Sequence, residues 1–170
     1  MSLSNQVLIV ESSREVISEV ISDLANLNIK ADFRVALNNG HALLHIKHLH
    51  LEHKIDTIRL LVILNIHTPI SNGFDFFKAY NSDEGIDKNK IRILVFEDNL
   101  SPWEKEDLEA MGITDFVSFP LIGDKAKNLI SDYFLSDEPP EQAAPAPPQT
   151  SLPSKKDKKN KRGFQGSSRI

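Results

Sequence analysis

Leu60-Leu61-Val62-Ile63-Leu64 is an unbroken apolar run that stops at Asn65. A run this short, continuous rather than alternating and bounded by polar residues, reads as a strand buried on both faces. Such a strand belongs at the centre of a parallel sheet with helices on either side. Its carboxyl end matters most, because open α/β sheets place their ligands beyond that end, where the strand order reverses. Asn65 is therefore the first candidate site residue. Pro69 and Asn72-Gly73 follow as turn residues and lead into a short helix carrying Phe74 and Phe77.

The rest of the chain supplies four more strand–helix units. Val7 to Val10 predicts a first buried strand. Ser12 to Asn28 predicts an amphipathic helix with Val16, Ile17, Val20, Ile21, Leu24 and Leu27 on one stripe, opened by a capping box of Ser12 with Glu15. Ile29 to Ala36 predicts an edge strand. Asn39-Gly40 opens a helix whose Ala42, Leu43, Ile46 and Leu49 face the core. Beyond the central strand and its helix, Asn81 to Lys90 is loop-like and Ile91 to Phe96 is a fourth strand. Ser101-Pro102-Trp103-Glu104 is a second capping box, and Gly112 ends the helix it starts. Asp115 to Phe119 predicts a fifth strand, and about Asp124 to Phe134 a last helix. Five such units give a doubly wound parallel sheet of order 2-1-3-4-5, which brings Glu11 and Asn65 to one crevice.

Composition changes past Leu135. Residues 1–137 hold 13 Lys and Arg against 21 Asp and Glu, a charge of −8, whereas 138–170 hold 7 against 3, a charge of +4. The sequence therefore divides into a folded domain over 1–136 and a tail over 137–170. The tail is first rich in Pro and Ala, then basic at Lys155, Lys156, Lys158, Lys159, Lys161 and Arg162, and it is expected to be disordered. With no cysteine there is no disulfide, thiolate metal site or cysteine nucleophile. No apolar run approaches the ~20 residues of a membrane span, and no signal-peptide pattern opens the chain, so a cytoplasmic protein is expected. Gly-rich phosphate loops and a G-x-S-x-G elbow are both missing, which leaves dinucleotide, P-loop and hydrolase chemistry without support.

Over Gln6 to Phe134 the sequence resembles a response-regulator receiver domain of the CheY type, with its phosphorylation pocket altered. That resemblance implies a phosphoacceptor Asp where this chain has Asn65, and two acidic magnesium ligands where it has Glu11 and Ser12. It also implies a metal-binding backbone carbonyl at His67. The phosphate-binding Ser or Thr falls at Glu97, the Lys before a cis proline falls at Phe119, and the aromatic switch position is Phe116. A carboxamide is a poor phosphoryl acceptor, Ser12 offers magnesium a neutral oxygen, and Glu97 places negative charge where phosphoryl oxygens would lie. Phe119 supplies no cation to offset them.

The residues thus describe a pseudo-receiver: a non-enzymatic, protein-interaction module of two-component or phosphorelay signalling. Its partner would be a histidine kinase or another signalling protein. A homodimer through the fourth helix, fifth strand and fifth helix is the other contact the resemblance implies, with Trp103 as the aromatic anchor. Three alternatives stay open. A weak Mg²⁺ or Ca²⁺ site could draw on Glu11, Asn65, His67 and Glu97, with no other cofactor implied. A non-standard residue such as Ser12 could accept phosphate. The domain could also carry a basic tail that meets nucleic acid, an anionic membrane or an acidic protein, although nothing indicates a specific nucleic-acid target. Separately, His41, His45 and His48 fall on one helical stripe away from the apolar face, a spacing that zinc or a pH-sensitive surface would use.

Overall fold

The central apolar run does form the middle strand of the sheet. In the computed structural model, which describes residues 3–135, β3 spans Ile58–Leu64, and Leu60, Val62, Ile63 and Leu64 are wholly buried. It lies between β1 (Ser4–Val10) and β4 (Ile91–Phe96), with β2 (Asp32–Ala36) outside β1 and β5 (Phe116–Val117) outside β4. The order is β2-β1-β3-β4-β5 and every pairing is parallel, as the sequence predicts. The helices are α1 (Arg14–Asn26), α2 (Asn39–Leu51), α3 (Gly73–Ser82), α4 (Pro102–Ala110) and α5 (Asp124–Leu135).

Because strand side chains alternate, β3 feeds two cores. Leu60, Val62 and Leu64 pack with Ala42 and Ile46 of α2 and Phe77 of α3. Leu61 and Ile63 face Val20 and Leu24 of α1 and Ile130 and Phe134 of α5. The last helix is also tied to the start of the central strand by polar bonds. Arg59 Nη1 donates to the Phe134 carbonyl at 2.7 Å, and the Tyr133 hydroxyl donates to the Leu60 carbonyl at 2.6 Å.

Several local expectations need correction. The cap of α1 is Ser13, whose hydroxyl accepts from the Val16 amide, and not Ser12. The Ser12 amide is held instead by Glu11, which delays the helix by one residue and leaves Glu15 out of any capping box. β5 is shorter than Asp115 to Phe119 because only Phe116 and Val117 find ladder partners on β4. Of the histidine stripe, His45 is turned partly inward, with Nε2 3.1 Å from Gln6 Oε1. The capping box at Ser101 forms as predicted, with the Ser101 hydroxyl and the Glu104 carboxylate each accepting from the other's amide. Gly112, at φ 94°, supplies the left-handed residue after α4.

The boundary at residue 136, the tail and its lysine cluster lie outside the described residues. Among the described residues no helix is long and apolar enough to cross a membrane.

Candidate functional site

Register builds the pocket. β1 and β3 pair Val10 with Leu64, and the Asn65 amide continues the ladder by donating to the Val10 carbonyl at 3.0 Å. The next residue of each strand, Glu11 and Asn65, therefore meets its counterpart at the carboxyl edge of the sheet. Glu11 is buried and its carboxylate is fully engaged. Oε1 accepts from the amides of Ser12 at 2.7 Å and Ser13 at 3.0 Å, and Oε2 accepts from Asn65 Nδ2 at 2.8 Å.

The other end of the Asn65 carboxamide is fixed as well. Its Oδ1 accepts from the His67 amide at 2.8 Å, so the NH₂ group has to face Glu11. One side chain thus joins a buried carboxylate to a backbone donor, and both of its ends are used. An aspartate here would set a second anion against Glu11 in place of that donor.

Glu97 and Phe119 stand on the far side of the crevice and make separate partnerships. Glu97 is exposed, with Oε2 3.4 Å from Lys105 Nζ of α4 and Oε1 accepting from the Ser118 hydroxyl at 3.3 Å. Phe119 is half-buried and packs on Phe96, ring centroids 5.5 Å apart. The bond from Phe119 to Pro120 is cis, as the resemblance implies. Phe116 is half-buried, with Lys105 Nζ 4.9 Å from its ring centroid. Trp103, which could have folded onto the sheet, is 62% exposed.

The residues present do not fit a magnesium ion well. Ser12 gives a neutral oxygen, Asn65 turns a donor toward the one buried carboxylate, and Glu97 is drawn to Lys105. Among the described residues, no three His, Asp, Glu or Cys side chains gather as a metal ion would need, the histidine stripe of α2 included.

Two features of the rim were not anticipated. The first is the His67 imidazole, since the resemblance implies a role only for its backbone carbonyl. Nε2 lies 2.9 Å from Glu104 Oε1, linking the loop after β3 to the first turn of α4. The Ser101 amide and then His67 hold the Glu104 carboxyl below the usual carboxylate range. The second is a buried polar cluster under the same loop. Asn39 donates through its backbone amide and its carboxamide to the Thr68 hydroxyl, and the Gly40 amide donates to Ser71 Oγ at 2.9 Å. The signal was the pairing of Asn38-Asn39 before Gly40 with Thr68 and Ser71 around Pro69, small polar residues at two facing turns.

No protein-family model and no curated protein matches the sequence. Solved structures do match. A response regulator receiver protein from Dyadobacter fermentans superposes with a TM-score of 0.62 at 19% identity, over 78% of this chain and 100% of that one. A two-component response regulator from Legionella pneumophila gives 0.60 at 21%, over 76% and 98%. The chemotaxis response regulator CheY4 of Vibrio cholerae gives 0.53 at 20%, over 78% and 99%. The chain has the response-regulator receiver fold.

Proposed function

We propose that this protein is a receiver-fold interaction module of two-component signalling whose switch-point pocket does not take a phosphoryl group. The observation that carries this reading is the Asn65 carboxamide, committed at one end to Glu11 and at the other to the His67 amide. Phosphoryl transfer to a receiver needs a free carboxylate nucleophile, a metal to neutralise the phosphate and a cation near the departing charge. Asn65, Ser12 and Phe119 stand in those three places and supply none of them. Output then passes through protein contact on the face made by α4, β5 and α5, where Trp103 is the exposed aromatic anchor. The partner is a histidine kinase or another signalling protein.

The test is phosphoryl incorporation from labelled acetyl phosphate with Mg²⁺. The natural chain is expected to take up no label. Asn65→Asp alone is also expected to fail, since it supplies a nucleophile but places two carboxylates together, with Ser12 leaving a magnesium site one carboxylate short and no lysine to offset the charge. The variant combining Asn65→Asp, Ser12→Asp, Glu97→Thr and Phe119→Lys is expected to label. Brisk labelling of the natural chain would overturn the proposal, and brisk labelling of the single variant would trace the loss of phosphotransfer to Asn65 alone.

A further inference from the structure

The outer face of α4 is acidic and uncompensated. Glu106, Asp107 and Glu109 are exposed on it, Asp98 is exposed in the loop before it, and among the described residues none of the four is in an ion pair. Lys105 is the one cation of the helix, and it is already placed at Glu97 and over the Phe116 ring. Trp103 stands at the amino end of this face, 62% exposed. Alongside runs an open groove of about 460 Å³ between α4 and α5, floored by Phe116 and Leu129, with Glu109 on one wall and Lys125 on the other. A face of carboxylates with an exposed indole is matched by a partner rich in lysine and arginine, because ammonium and guanidinium groups pair with the first and stack on the second.

The chain itself carries such a segment. Six of the seven basic residues beyond Asp137 fall in Lys155–Arg162, and they oppose a net −8 on residues 1–137. Only residues 136–154 separate this cluster from the end of α5. At no more than about 3.3–3.6 Å per residue, those 19 residues reach up to roughly 65 Å. The 12 residues of α5, which flanks the groove, extend only about 18 Å. Closing so short a loop raises the local concentration of the segment to the millimolar range.

We infer that Lys155–Arg162 docks in cis on the outer face of α4, with its cations against Glu106, Asp107 and Glu109 and against the Trp103 ring. That this same face also serves a protein partner rests on the function proposed above. A partner would then have to displace the tail, and the tail would discriminate against weak or wrongly charged competitors.

Trp103 is the only tryptophan of the chain, so its fluorescence reads this surface directly. The comparison is between the full natural chain and a full chain carrying Lys155→Glu, Lys156→Glu, Lys158→Glu and Lys159→Glu. At low salt the natural chain should show about half the acrylamide quenching of that variant, since stacking covers one of the two ring faces. The difference should vanish at about 1 M salt, where the screening length falls to about 3 Å. Reversing the other side alone, with Glu106→Lys, Asp107→Lys and Glu109→Lys in the otherwise natural chain, should expose Trp103 to quenching as fully as the tail variant does. Equal quenching of the natural chain and the tail variant at low salt, or protection that survives reversal of the three α4 carboxylates, overturns the proposal. Protection that disappears on dilution also overturns it, because the occupant is then the tail of a second copy. None of these results bears on phosphoryl labelling, so each reading can fail alone.

Discussion

Two tyrosines show how much a single hydrogen bond decides at this scale. Both are buried, and burial raises both hydroxyls above the ordinary tyrosine value. Tyr133 gives its proton to the Leu60 carbonyl, whereas the Tyr80 hydroxyl has no partner among the described residues. A buried hydroxyl left unpaired loses about 1–3 kcal/mol of solvation. Tyr80→Phe is therefore expected to be neutral or to stabilise by about 1 kcal/mol, while Tyr133→Phe loses about 1 kcal/mol with its bond to the Leu60 carbonyl. Urea midpoints of the two variants check this, and a marked loss in Tyr80→Phe would refute it. His45 makes a pH prediction. Burial first, then the positive charges of Arg34 and His48, holds its pKa below the ordinary 6.5. The unfolded chain takes up that proton more readily, so this contribution to stability is complete above about pH 6.5 and declines as pH falls toward the lowered folded value. Replacing His45 with Gln keeps a donor for Gln6 and should flatten the fall in urea midpoint between about pH 7 and 5.5. An unchanged slope would assign the dependence elsewhere.

Among the elements, the ones that follow a period or a cap are those the sequence announces. The stripe of α1, the box at Ser101 and the continuous run of β3 each follow from spacing alone. Boundaries depart from the pattern where one local bond competes with another, as when the Glu11 carboxylate takes the amide of the adjacent Ser12 and the cap moves to Ser13. The shortness of β5 is illegible for a different reason, since pairing depends on a neighbouring strand and not on β propensity. Gly73 is held by more than the turn that the sequence pattern predicts there. Its amide donates to the Ile66 carbonyl at 3.0 Å, and a Cβ there would lie 2.6 Å from Ile66 Cα. The start of α3 is pressed against the backbone of the loop after β3. Gly73→Ala should destabilise by about 3 kcal/mol, the upper part of the range for overpacking. Chemical denaturation measures it, and a loss under about 1 kcal/mol would show that the loop yields easily.

For the molecule as a whole, the strand order and the meeting of Glu11 with Asn65 were legible because parallel topology leaves few choices once five units are counted. What the two residues do to each other was not legible. Which end of a carboxamide faces a carboxylate is fixed by the His67 amide, a backbone group whose position no periodicity encodes. The rim contacts of His67 and Lys105 were equally hidden, since each crosses between units far apart in sequence. The bonds from α5 to the head of β3 have a consequence during synthesis. The central strand leaves the ribosome about 75 residues before Phe134, the residue whose carbonyl Arg59 binds. At roughly 5–20 residues per second that is an interval of about 4–15 s. Throughout it, Leu61 and Ile63 have no α5 to cover them, although the α2–α3 side of the sheet can already pack. The half of the core built on α1 and α5 is thus the half a nascent chain must shield from aggregation, and the final helix is the piece that ends the exposure.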